Sequence, residues 1–224
     1  MIITDQFVYI HVMKTGGTSI HNTFERRYGL NCFQDLHSTY RDIPKDMRDG
    51  RFVWGIMRDP IEQEASNWRY HAHFWHRDGN PDGEMMPFEQ WLEWKYIRPQ
   101  EWASKWLQPS HIDYGWSLNY RPQAGYFCDE DGICKADRIY RFDDLHAVMQ
   151  EIGDRFGYNL DLEEHKGMVY QWSRNKRDYA EHATPRAIEL LRKFRAIDFE
   201  LWEADGDIRT DYVCPTVPHY AYAR

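Results

Sequence analysis

The sequence predicts an α/β fold: a central parallel sheet with helices on both faces, carried by one domain spanning 1–224. Three observations lead there. Short runs of strand formers alternate with longer segments of helical period. Glycines or a proline stand at the first two changes from strand to helix. A chain of 224 residues is also long enough to bury a sizeable core within one domain.

The elements follow in order. Phe7 to Met13 is the first strand, and a helix over 18–28 follows with Ile20, Phe24 and Tyr28 on one face. A second strand over 51–57 stops at Arg58-Asp59-Pro60, where the proline suits the first position of a helix over 60–75. From about 68 to 125 the chain is crowded with aromatic residues, including Trp68, Trp75, Trp91, Trp94, Trp102, Trp106 and Trp116. Such rings bury large areas, so most are expected in a core. Parallel α/β cores favour aliphatic residues, however, so the density also predicts an inserted lid or acceptor cleft lined by two or three of them. A strand over 138–142 and a helix over 143–156 come next. In the last helix Thr184 caps, Pro185 starts, and Ala187, Leu190, Leu191, Phe194, Ile197 and Leu201 form one apolar stripe. The tail over 205–224, with Pro215 and Pro218, reads as irregular.

A net charge of −8 argues against a general nucleic-acid binder, whose footprint is basic, so any positive patch must be local. The cysteines Cys32, Cys128, Cys134 and Cys214 are irregularly spaced and predict no zinc site. Cys128 and Cys134 flank the turn Asp129 to Gly132, a spacing that lets them pair across a hairpin. His71, His73 and His76 do not share one helical face, and no metal is expected there. No leader-like pattern and no apolar run of the roughly 18 residues a span requires is visible, which predicts a cytoplasmic protein without a membrane span.

The chemistry concentrates in Lys14-Thr15-Gly16-Gly17-Thr18-Ser19, between the first strand and its helix. Two glycines permit a tight turn and close approach of main-chain N–H groups to a ligand. The first helical turn adds unpaired donors and the positive end of a dipole. Lys14 brings a full charge, while Thr15, Thr18 and Ser19 bring hydroxyls. A phosphate-like anion is the ligand such a loop suits. The nucleotide-hydrolase loop G-x-x-x-x-G-K-[ST] is excluded by order, because Lys14 precedes the glycines.

In that order the six residues resemble the 5′-phosphosulfate loop of sulfotransferases that use 3′-phosphoadenosine 5′-phosphosulfate (PAPS). Arg58-Asp59-Pro60 with Ser66 resembles a second motif of that family, R-D-P-x-x-R-x-x-S, whose first arginine and serine hold the 3′-phosphate. Arginine suits that task because its planar fork gives paired, charge-assisted hydrogen bonds. Two positions depart from the pattern: Met13 stands where many relatives have proline, and Gln63 where they have a second arginine. Weaker likeness to carbohydrate-type members runs through Asn119–Gln123, Arg138–Leu145 and Asp198–Trp202.

The resemblance implies a P-loop-like sulfotransferase fold, PAPS as sulfuryl donor, no metal, and an acceptor hydroxyl on a carbohydrate or small molecule. It makes Lys14, Thr15, Gly16, Gly17, Thr18, Ser19, Arg58 and Ser66 cofactor contacts. His37 resembles the base of heparan 6-O-sulfotransferase-like members, and its other reading is a solvated loop histidine. Glu62 and His11 are the alternative bases. Arg174 and Lys176, around Asn175, either close over the nucleotide or form an exposed charged loop. Two other classes stay open. One is a phosphotransferase with an atypical loop, which requires Mg²⁺ and a carboxylate such as Asp143 or Asp144. The other is a non-catalytic anion-binding module.

Overall fold

Four strands form one sheet in the order β1-β2-β3-β4: β1 (Ile2–Ile3), β2 (Phe7–Ile10), β3 (Phe52–Met57) and β4 (Arg138–Arg141). The computed structural model describes residues 1–30, 37–78 (71–78 as backbone), 87–98, 121–160 and 183–214. The expected parallel sheet is present, with β2 parallel to β3 and β3 parallel to β4. The antiparallel edge β1 was not expected. It is only two residues long, and a turn at Thr4 folds it onto β2. There the Thr4 hydroxyl oxygen accepts from the main-chain N–H groups of Gln6 and Phe7 at 3.2 and 3.0 Å. β2 is shorter than the 7–13 run, because Val12 and Met13 already belong to the loop.

By contacts the chain groups into two compact units. Unit 1 comprises Met1–Arg58, Arg121–Glu164 and Glu200–Arg224; unit 2 comprises Asp59–Tyr120 and His165–Phe199. Unit 1 holds the sheet, α1 (Gly17–Tyr28), the short α2 (Lys45–Arg48) and α5 (Leu145–Phe156), which follows β4 through a 3-10 turn at Phe142–Asp144. Its core joins Phe7, Tyr9, Trp54 and Ile56 of the strands to Ile20 and Phe24 of α1 and to Val148, Met149 and Ile152 of α5.

Unit 2 contains α3 (Pro60–Asp78), α4 (Phe88–Ile97) and α6 (Pro185–Phe194). Asp59 caps α3, its Oδ1 accepting from the N–H groups of Ile61 and Glu62 at 2.8 and 2.9 Å. Thr184 caps α6, accepting from Ala187 N–H at 3.2 Å, with Pro185 at the first position as expected. The long final helix is instead two: α6 ends at Phe194, and α7 (Ala196–Glu203) begins after Arg195. Trp68 and Trp91 pack with Phe88, Leu92, Leu190 and Leu191 in the core of unit 2. Both rings are therefore packing residues. Trp102, Trp106 and Trp116, like the side chain of Trp75, lie outside the described residues. Among the described residues no helix is long and apolar enough to cross a membrane.

Candidate functional site

Parallel strands end at one edge of the sheet, and their following loops meet there. Lys14 follows β2, Arg58 follows β3 and Phe142 follows β4. Gly16 caps α1 with φ 78°, a left-handed conformation that glycine adopts without strain. A side chain at Gly16 would also meet the Phe142 ring at 2.9 Å. Lys14 itself has φ 62°. The Gly16 carbonyl accepts from Ser19 N–H at 3.0 Å, closing the first turn. Thr15 is fully buried and its hydroxyl donates to Val12 O at 2.8 Å, so Thr15 offers the loop its backbone. Thr18 is exposed and Ser19 half-buried.

Arg58 is held from three sides. Its main-chain N–H donates to Gln123 Oε1 at 3.0 Å, and Gln123 Nε2 donates back to Arg58 O at 2.8 Å. The guanidinium lies 4.6 Å over the Phe142 ring, and its Nη1 donates to Lys14 O at 3.4 Å. Gln123, fully buried in a 3-10 turn, is a positioning residue that sequence reasoning missed. Its partner lies sixty-five residues earlier, and only Pro122 marks the turn.

The electrostatics of this edge favour an anion. Burial lowers the Lys14 pKa to about 8, and the positive charge of Arg58 adds to the effect. A bound phosphate or sulfate group would reverse the second cause and offset the first.

Behind the loop lie three histidines. His11 is 2% exposed, and its ring centroid stands 4.4 Å from His37 and 5.1 Å from His21. Half-buried His37 points Nδ1 at His11 O, 3.2 Å away. Burial pushes the His11 pKa well below the imidazole range, and the charges of His37, His21, the Met1 amino group and Lys14 push the same way. His11 is thus shut off from solvent and held neutral, which makes it unsuited to take a proton from a ligand. Among the described residues no group of three or more His, Cys, Asp or Glu side chains is arranged to hold a metal ion.

Lys14, Gly16, Gly17, Arg58 and His37 therefore gather within unit 1. Ser66 and Glu62 lie on α3 in unit 2, and Arg174 and Lys176 fall outside the described residues. The spacing left open whether Cys128 and Cys134 pair, and they do not. Cys128 and Cys134 do face each other across an antiparallel bridge, yet both are free buried thiols, as is Cys214. A hydrogen bond with Cys214 and burial raise the Cys128 pKa, and burial raises that of Cys134 to about 11. Such thiols are poor nucleophiles. Compared with protein-family models, curated proteins and solved structures, the chain finds no match.

Proposed function

We propose that the protein is a PAPS-dependent sulfotransferase acting on an acceptor hydroxyl of a carbohydrate or small molecule. One observation carries the reading: Lys14 and Arg58 crowd together at the carboxyl edge of a parallel sheet, beside a glycine-rich helix start. Two adjacent cations at a helix N-terminus suit a ligand with several negative charges.

In the proposed reaction the acceptor oxygen attacks sulfur in line, and the bond from sulfur to the 5′-phosphate oxygen breaks. 3′,5′-Adenosine bisphosphate leaves. Lys14 and the first-turn N–H groups stabilise the negative charge on the departing oxygen. His37 takes the acceptor proton. Its Nδ1 lies against a carbonyl, which only accepts, so the neutral ring carries its hydrogen there and its lone pair on Nε2. Arg58 binds a phosphate group, and Ser66 enters through the motif alone.

The test is calorimetry with 3′,5′-adenosine bisphosphate, followed by screening acceptor pools with labelled PAPS. Binding independent of Mg²⁺ and a labelled product are expected. Tighter binding of ATP with Mg²⁺ would instead indicate the phosphotransferase, and binding without turnover the non-catalytic module.

A further inference from the structure

The histidines behind the loop are arranged with more constraint than a packed core demands. A Cβ at Gly17 would lie 1.9 Å from Cδ2 and 2.0 Å from Nε2 of His11. The glycine is needed there because the imidazole already fills that space. On its other sides the His11 ring meets His37 at 4.4 Å, His21 at 5.1 Å and, stacked, Tyr9 at 6.1 Å. Its Nδ1 is buried and has no hydrogen-bond partner among the described residues. An aliphatic side chain would avoid that cost in a site serving packing alone.

The charged and titratable groups around His11 come from every neighbouring element. They are Lys14 in the loop, His21 on α1, His37 in the segment after α1, and the Met1 amino group, with Tyr9 on β2 just before His11. A charge on His11 would repel Lys14 and His37, so the ring works as an uncharged body between them. The His11 residue touches His37 twice, through its ring and through the carbonyl that receives Nδ1–H.

We propose that His11 is a positioning residue: its ring, wedged between Gly17 and His37, and its carbonyl, which receives Nδ1–H, hold the His37 imidazole with Nε2 as the basic nitrogen. This rests on the sulfotransferase reading, in which His37 takes the acceptor proton. It adds that the anion loop and the base share one rigid spacer. Gly17 is then required twice over, by the ligand's approach and by the ring behind it.

Side-chain ¹⁵N NMR of histidine-labelled full-length protein tests this, with the His37 signal identified by its loss in His37→Gln. In the parent, neutral His37 carries its proton on Nδ1. In His11→Ala the carbonyl remains, but the His37 ring loses the neighbour that holds it, and the tautomer mixes. Gly17→Ala loses thermal stability because its Cβ strikes the ring. The double variant His11→Ala/Gly17→Ala recovers much of it, since the new methyl fills part of the space left, but keeps the altered His37 signal. Two results overturn the proposal: a parent His37 protonated on Nε2 at neutral pH, or a double variant with the parental His37 signal. The parent measurement can overturn the proposal even where a variant does not fold. Titrating the same parent sample with 3′,5′-adenosine bisphosphate separates the two ideas. Absence of binding sinks the sulfotransferase reading, whereas the NMR result stands or falls on its own.

Discussion

Two lysines, half-buried Lys14 in unit 1 and buried Lys95 in unit 2, have the same lowered pKa in opposite electrostatic surroundings. Lys14 in unit 1 and Lys95 in unit 2 are both brought to about 8, chiefly by burial. Beside Lys14 the next influence is Arg58, which lowers it further. Beside Lys95 the next influence is Glu64, which raises it, and only then Arg195, which lowers it. Glu64 forms ion pairs with Lys95 and, at 3.1 Å, with Arg195, and Arg195 also pairs with Asp198 at 3.4 Å. Tyr96 completes the cluster, donating to Glu64 Oε2 at 3.2 Å and accepting from Arg195 Nε at 2.9 Å. Two carboxylates and two cations balance. The cluster in unit 2 closes its charges internally, whereas Lys14 and Arg58 in unit 1 gather like charges at an edge. The first arrangement ties helices together, and the second suits an incoming anion.

The largest effect tests the closed network. Glu64→Gln leaves Lys95 and Arg195 buried with one carboxylate fewer, and a loss of about 3–5 kcal/mol is expected in urea unfolding. An unchanged midpoint would show that the network contributes little and would remove half of the contrast.

Lys14→Met tests the open site. Affinity for 3′,5′-adenosine bisphosphate should fall roughly 10- to 100-fold, as for one lost charged hydrogen bond of about 1.5–3 kcal/mol. The unfolding midpoint should hold or rise, because a repelled, desolvated cation has been removed. Destabilisation on the scale of Glu64→Gln would erase the distinction. In the parent, affinity should also decline as pH rises through about 8, where Lys14 loses its proton. A flat profile from pH 7 to about 9.5 would contradict that assignment.

Acid should separate the units. Burial holds His11 well below its usual value of 6.5, and burial with the nearby Met1 amino group and His37 lowers His21 to about 3. The unfolded chain therefore binds more protons below pH 6.5, so unit 1 loses stability as pH falls from there towards 3. The slope is up to about 1.4 kcal/mol per pH unit for each histidine. In unit 2, burial alone would raise the Glu64 pKa, but Lys95 and Arg195 outweigh it and hold it below the usual 4.5. Its contribution persists above 4.5 and fades only as pH falls lower. Hydrogen exchange at pH 5.5 should show β2 and α1 loosened before α3 and α4. The reverse order would reject the assignment. Smallest of all, Thr184→Ala should cost about 1 kcal/mol through the lost cap of α6, read as a lower melting temperature.

What the sequence disclosed follows the range of the forces involved. The loop and Arg58 were legible because a strand run, two glycines and a proline act within a few residues. The Thr184 cap was legible for the same reason. Gln123 was not, since its hydrogen bonds join residues far apart in the chain. Nor was the wedge of His11 against Gly17, because the sequence explained that glycine by turn geometry and ligand approach. The apolar stripe ran past Arg195 unbroken, yet the helix breaks there, at a residue buried in ion pairs with Glu64 and Asp198. Hydrophobic periodicity carries no sign of such a pairing.

The backbone of Lys14 sets folding against the charge it carries. A residue bearing a side chain at φ 62° carries strain of roughly 1–2 kcal/mol that glycine there would release. Lys14→Gly would thus remove strain, repulsion and a desolvated charge in one step. Screened for heat resistance alone, a mutant library should discard this lysine early.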